Sequence, residues 1–299
     1  MFRDALLAGS RILITGGGSG LGLHAATHLL RLGADVEIWG RRGAMLRAAI
    51  AQLDAIRPNA ALARIVDIRD AEAVDAAVAL SWSEGRPLTQ LVNNAAGNFL
   101  SRTEDLSHRG FSAIANTVFH GTFHVTQALG KHWIADGSGG AVVSIIVSWV
   151  WTGAPFVVPS AMSKAGVAAM TRSLAVEWGH HGIRLSAIAP GTIPTEGANA
   201  RLHPGEDPSA EPAARNPLKR VGEPEELGNL IAFLLAPGCG WLTGQLIALD
   251  GADALANGAS TTKYLAWGDA DWAAARDNIR SHDTRDKAQR SAVQEGPGP

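Results

Sequence analysis

The run Arg-Ile-Leu-Ile-Thr, residues 11–15, leads into Gly16-Gly17-Gly18-Ser19-Gly20-Leu21-Gly22. Glycines let a backbone turn tightly and come close to a pyrophosphate. A helix starting beyond them offers free N–H groups and the positive end of its dipole to that anion. The next apolar run ends in Trp39-Gly40-Arg41-Arg42. A nicotinamide dinucleotide without a 2′-phosphate is usually met there by a carboxylate on the ribose. Two arginines stand there instead, and a guanidinium pairs with a phosphate through two parallel hydrogen bonds. The expected cofactor is NADP(H). Ser160 and Lys164 lie four apart in a helical pattern and share one helix face. His24/His28 and His120/His124 have the same spacing, which can hold a metal, but Ala25 and Gly121 occupy the place of the glutamate in a H-E-x-x-H motif. No metal is expected.

Positioning such groups takes a framework, and the hydrophobic pattern supplies one. Apolar, β-branched runs fall at Arg11–Thr15, Asp35–Trp39, Leu62–Val66, Gln90–Val92, Ala141–Val147, Arg184–Ala189 and Gln245–Leu249. Helical patterns lie between them at Gly20–Leu32, Gly43–Ile56, Ala71–Ser83, around Phe111–Lys131, Ser160–Trp178 and Pro224–Leu235. This alternation predicts an α/β fold: a single Rossmann-type, doubly wound, seven-stranded parallel sheet with helices on both faces. The strand runs lack strict alternation, as expected of strands covered on both sides. A stretch at about 195–217, with four prolines, breaks the rhythm and reads as a substrate lid. Asp269–Ile279 reads as a last helix behind an Asp cap. One domain is expected over 1–280, with a disordered tail over 281–299.

Composition narrows the partners. With 26 Lys+Arg against 28 Asp+Glu the net charge is −2, so nothing draws the chain to nucleic acid or to an anionic membrane. The hydrophobic fraction of 46% allows a large core. The nine tryptophans are scattered, with no basic stripe between them, and are expected in the core. The single cysteine, Cys239, excludes an intrachain disulfide and a cysteine metal cage, which fits a cytoplasmic setting. The longest apolar stretch, 141–158, is interrupted by Ser144, Ser148, Thr152, Gly153 and Pro155 and reads as a strand and loop rather than a membrane span. The first ten residues read as too short in apolar run for a secretory signal.

Further motifs accumulate in order: Asp67-Ile68, Asn93-Asn94-Ala95-Ala96-Gly97, Lys164 early in a long helix, and Pro190-Gly191-Thr192-Ile193. With the glycine turn they resemble the short-chain dehydrogenase/reductase family over roughly residues 8–255. The segments NNAAGNF (93–99), FVVPSAMSKA (156–165), AVEWG (175–179) and ARLHP (200–204) are similar to the 2,4-dienoyl-CoA reductase branch of that family. The resemblance implies NADP(H) held by Gly16, Gly17, Gly18, Ser19, Gly20, Leu21, Arg41, Asp67, Ile68, Asn94, Lys164, Pro190, Gly191, Thr192, Ile193 and Thr195. Arg41 would meet the 2′-phosphate and Asp67 the adenine amine. It implies an acyl-CoA substrate against Arg69, Phe99, Ser107 and Arg201, and a homo-oligomer, a tetramer.

The catalytic set implied is unusual for the wider family. Its Tyr, four residues before the lysine, is replaced by Ser160, and its helix Asn falls at Val118. The only tyrosine is Tyr264. The dienoyl-CoA reductases share the serine, and the resemblance assigns Asn98, Ser160 and Lys164 to their arrangement: the Asn and a displaced Tyr hold the thioester oxygen, and the Ser and Lys position a proton-donating water. Here the displaced Tyr is Trp149, whose indole N–H donates a hydrogen bond but delivers no proton at neutral pH. The expected activity is NADPH-dependent reduction of a 2,4-dienoyl or 2-enoyl acyl-CoA. Two alternatives stand beside it: a reductase redirected to a non-CoA enone or carbonyl in a biosynthetic route, and a catalytically impaired NADP-binding homologue.

Overall fold

The computed structural model of the chain describes residues 2–195, 209–256, 266–275 and 277. Strands β1 (Arg11–Thr15), β2 (Asp35–Gly40), β3 (Ala61–Ile65), β4 (Gln90–Asn93), β5 (Gly140–Ile145), β6 (Ile183–Pro190) and β7 (Leu246–Leu249) form one sheet in the order β3-β2-β1-β4-β5-β6-β7. Every pairing is parallel, with Ile12 beside Val36, Leu91 beside Val142 and Ser144 beside Ala187. The seven-stranded expectation holds. The strand order reverses between β1 and β4, and a crevice at the carboxyl ends of the strands opens at such a point.

Both sheet faces are covered, so each strand buries side chains in both directions. On β1, Ile12 and Ile14 enter one core with α1 (Gly20–Arg31), α2 (Gly43–Asp54) and the helix Pro224–Leu235. Leu13, between them, enters the other core with α3 (Ala71–Ser83) and α5 (Gly121–Asp136). Local signals set the helix ends. Asp70 caps α3 by accepting from the Ala73 N–H at 3.1 Å, and Ser107 caps α4 (His108–Ala115) by accepting from Gly110 at 3.0 Å.

The helical stretch expected around Phe111–Lys131 is α4 and α5 joined by a π turn over Asn116–His120. The wider turn buries Val118 completely and lays Phe119 on Gly166 of the helix Val158–Glu177, where a Cβ would stand 2.5 Å from the ring. A four-residue helix, α6 (Trp149–Thr152), interrupts the loop expected after β5, and α7 (Val158–Glu177) follows. Of the stretch expected as a lid, residues 196–208 lie outside the described residues. Within the remainder, Ala210–Arg215 forms α8, and Pro224–Leu235, behind it, is α9.

The tryptophan expectation holds only in part. Trp39 and Trp133 are fully buried, whereas Trp241 is fully exposed and Trp151 and Trp272 are nearly half exposed. A strand face and a packed helix can enclose an indole; the short loop around Trp241 offers nothing to cover one. Contacts divide the chain into a unit over Met1–Ala254 and a second over Leu255–Pro299. In the second, residues 269–275 are helical, within the helix expected over Asp269–Ile279. Asp269 is itself helical, and Asp271 rather than Asp269 accepts from the Gly268 N–H, at 3.0 Å. The Trp267 and Trp272 rings meet edge to face at 5.0 Å. The expected tail over 281–299 lies outside the described residues. No helix among the described residues is long and apolar enough to cross a membrane.

Candidate active site

The parallel sheet brings the chemically interesting residues to one edge. Gly16 follows β1, Arg41 follows β2, Asp67 follows β3, Asn94 and Asn98 follow β4, Trp149 follows β5 and Gly191 follows β6. All therefore lie at the carboxyl ends of strands, where open α/β sheets bind ligands.

The glycine turn is built for a close-approaching anion. Gly16 has φ +67°, in the left-handed region. A Cβ on Gly22 would run into the Gly16 carbonyl and the Asn94 amide. The turn is braced from the neighbouring strand: Thr15 Oγ1 accepts from the Asn94 and Ala95 N–H groups, each at 3.1 Å, and Asn94 Nδ2 donates to the Thr15 carbonyl at 3.0 Å. At the start of α1, Ser19 makes no side-chain cap, and no acidic residue occupies the first turn. The Leu23 N–H donates to Ser19 O at 3.2 Å, closing the first turn. The leading N–H groups thus face outward without a carboxylate to neutralise the dipole, which suits a pyrophosphate. Thr195 stands opposite, with its Oγ1 3.9 Å from where a Gly20 Cβ would be.

The Arg41 and Arg42 side chains are exposed at the end of β2. Below them, Trp39 Nε1 donates to the fully buried Glu37 at 2.7 Å, and Arg64 Nε donates to the same oxygen at 2.9 Å. This buried pair fixes the end of β2 and was not singled out from the sequence; a lone glutamate inside an apolar strand was its signal. After β3, Asp67 and Arg69 form a close ion pair. Arg69 Nε lies 2.9 and 3.0 Å from the two carboxylate oxygens, and the Arg69 backbone N–H donates to Oδ1 at 3.1 Å. The Arg69 guanidinium holds the Asp67 carboxyl below its ordinary range, with a smaller contribution from Arg41.

Asn98 follows β4 in a half-buried loop. Its Oδ1 accepts from the Phe99 N–H at 2.9 Å, which fixes the amide so that Nδ2 is left as the donor. The Ser101 N–H donates to the Phe156 carbonyl at 2.9 Å. That bond ties the loop of Asn98 and Phe99 to the segment entering α7, where Ser160 and Lys164 occupy successive turns. Both are buried, at 4% and 5% exposure. Lys164 Nζ donates to the Ile145 carbonyl at the end of β5. Burial without a neighbouring carboxylate pushes its ammonium down from 10.5 to about 8. The Ile145 carbonyl was invisible to sequence reasoning because any residue type carries one.

The remaining expected site residues are distributed as follows. Gly17 and Gly18 complete the turn, and Leu21 stands in the first turn of α1. The Ile68 carbonyl faces His124 Nδ1 at 3.0 Å. Pro190 ends β6, Gly191 N–H donates to Leu249 at 2.9 Å, and Thr192 O accepts from Gly222 at 2.9 Å, which leaves Ile193 packed on Gly222. Phe99 lies against α4, its ring 3.3 Å from where a Gly110 Cβ would be, next to the capping Ser107. Trp149 is half-buried at the head of α6. Val118 is buried in the π turn and offers no polar group. Arg201 and Tyr264 lie outside the described residues.

A family model described as Enoyl-(Acyl carrier protein) reductase matches residues 16–251. A probable 2,4-dienoyl-CoA reductase of Caenorhabditis elegans, described as (3E)-enoyl-CoA-producing, is 40% identical over 293 residues, covering 96% of this chain and 95% of its own. A probable 2,4-dienoyl-CoA reductase of Bacillus subtilis, described as (2E)-enoyl-CoA-producing, is 38% identical over 242 residues, covering 80% and 94%. Among solved structures, a gluconate 5-dehydrogenase of Burkholderia cenocepacia in complex with NADP and tartrate superposes with a TM-score of 0.78 at 28% identity, covering 84% of this chain and 98% of that one. Sheet order, glycine turn and these matches agree: the chain is an oxidoreductase that belongs to the short-chain dehydrogenase/reductase family.

Proposed function

We propose that this chain is a cytoplasmic, NADPH-dependent reductase of an unsaturated acyl-CoA thioester, 2,4-dienoyl or 2-enoyl. The observation that carries the reading is the buried Lys164, held at the Ile145 carbonyl on the same helix face as Ser160, with a serine where a carbonyl reductase of this family has its tyrosine. The glycine turn, the uncapped start of α1 and the exposed Arg41 support NADP(H). The relatives' names support the thioester.

NADPH, when bound, supplies a hydride from C4 of its nicotinamide. The far carbon of the conjugated acyl system accepts it, and the displaced electron pair collects on the thioester oxygen. Asn98 turns its Nδ2 donor toward that oxygen. One donor aimed at a developing oxyanion is worth on the order of 3 kcal/mol in other enzymes. The Lys164 ammonium adds a positive charge in a water-poor site and orients the nicotinamide ribose. Ser160 and Lys164 hold the water that returns a proton to the acyl carbon. Below about pH 8 the lysine is mostly cationic. Its nearness to neutrality eases proton relay. Enolate quenching needs donors rather than a strong acid, so this chemistry tolerates the absence of a phenol. Trp149 Nε1 provides a further donor.

Arg69, Phe99, Ser107 and Arg201 take the acyl-CoA in this reading. Exposed Phe119, Phe123, Met162 and Val176 on the π turn, α5 and α7 support self-association, read as a tetramer. Stopped-flow oxidation of NADPH with a 2,4-dienoyl-CoA tests the function. Turnover above blank supports it; no turnover by protein that binds NADPH defeats it. The Trp149 exchange favours one second reading, a pocket reshaped for a non-CoA enone. Activity on such an enone, with none on acyl-CoA, would select it.

A further inference from the structure

Two residues read as serving different ligands are bound to each other. Asp67 is read as the partner of the adenine amine, and Arg69 as a partner of the acyl-CoA. The structure joins them through four contacts: Arg69 N–H to Oδ1, Arg69 Nε to both oxygens, and Arg69 Nη2 to Oδ2. These contacts come from three N–H groups, the Nε–H being shared between both oxygens, against about four lone-pair sites, so little acceptor capacity is left. Resting on the proposed function, we infer that Asp67 and Arg69 form a competitive latch: adenine takes part of the Asp67 carboxylate, loosens Arg69, and frees that guanidinium for an anionic phosphate of the acyl-CoA.

The geometry favours a switch over a fixed brace. The pair lies in the turn between β3 and α3, and both side chains keep solvent access, at 32% for Asp67 and 40% for Arg69. Among the described residues Arg69 has no hydrogen-bond acceptor besides Asp67, so its hold there depends on one carboxylate. Loss of part of that hold leaves a charged fork two residues from Asp67, suited to paired phosphate oxygens. Arg41 already leans on the same carboxylate electrostatically. A 2′-phosphate drawing Arg41 away reinforces the change. Because the pair is partly exposed, the coupling belongs at the low end of the usual range, about fivefold. Thermodynamic reciprocity requires coenzyme A to tighten NADP⁺ by the same factor.

The test is calorimetric titration of coenzyme A into the full-length protein, free and saturated with NADP⁺. Coenzyme A and NADP⁺ do not react with each other, so binding alone is read. For the native protein, NADP⁺ is expected to tighten coenzyme A about fivefold. For Asp67→Asn, which keeps an acceptor for adenine but holds Arg69 weakly, the two affinities are expected to converge. An equal ratio in both proteins, or no tightening in the native one, overturns the latch. Arg69→Gln separates this from the underlying reading. If it weakens coenzyme A about tenfold in the NADP⁺-loaded protein while the Asp67→Asn ratio stays at fivefold, the latch alone fails. If Arg69→Gln leaves coenzyme A binding unchanged, both the latch and the assignment of Arg69 to acyl-CoA fail.

Discussion

Lys164→Met removes the buried amine while keeping length and apolar bulk. The Lys164 ammonium sits at about 8 in the folded protein against 10.5 as its ordinary value. The difference, 10.5 − 8, corresponds to about 3 kcal/mol of differential interaction at 1.36 kcal/mol per pH unit. The sign follows from proton linkage. Between pH 8 and 10.5 the unfolded chain binds more protons than the folded one, so native stability rises with pH in that window. The variant lacks this dependence. Its constant losses, such as the unmet Ile145 carbonyl, do not change with pH, and other titrating groups cancel between the two proteins. Relative to Lys164→Met, the native protein should therefore gain about 2.5 kcal/mol between pH 7 and pH 10. Urea unfolding of both proteins at matched concentration across that range measures it. A difference flat to within about 0.5 kcal/mol, well under the linkage expected, would refute the burial of an ionisable Lys164. Turnover should be lost in the variant, and native turnover should fall as pH rises through about 8.

Gly22→Ala places a methyl against the Gly16 carbonyl and the Asn94 amide, so a loss of about 2 kcal/mol or more is expected, with NADP⁺ binding reduced; thermal unfolding and fluorescence titration read the two effects. Arg41→Ser should weaken NADPH by about ten- to a hundredfold, as loss of a charge-assisted phosphate contact does, while leaving NADH nearly unchanged, which parallel titrations check. Asn98→Ala should lower kcat by about a hundredfold with NADPH affinity preserved, which single-turnover kinetics resolves; a proportional loss of NADPH binding would point to a cofactor role instead.

Much of the framework was legible from local pattern. Apolar runs and caps are short-range properties, and strands β1 to β7 fall within a residue or two of the runs that announced them. Glycine at 16 and 22, arginine at 41, and the four-residue step from Ser160 to Lys164 are also readable one residue at a time, because each depends on backbone geometry or charge type. The π turn at 116–120 was not legible, since Val118 and Phe119 have ordinary helical spacing. It sets Phe119 against Gly166, forty-seven positions away, a contact that helical spacing does not announce.

Sequence alone determined which groups are available: a phosphate-binding turn, a basic stop after the second strand, and a lysine and serine on one face with no tyrosine at hand. Tertiary structure decided what those groups are. Lys164 became a donor to the Ile145 carbonyl because β5 ends beneath it, and its ammonium is poised near neutrality because the packed core excludes water. Asn98 acquired a defined donor direction from its own loop, and Asp67 and Arg69 became one paired unit. A residue type carries its charge and hydrogen-bonding capacity with it, but its pKa, its partner and the direction of its dipole depend on neighbours that only the packed fold brings near.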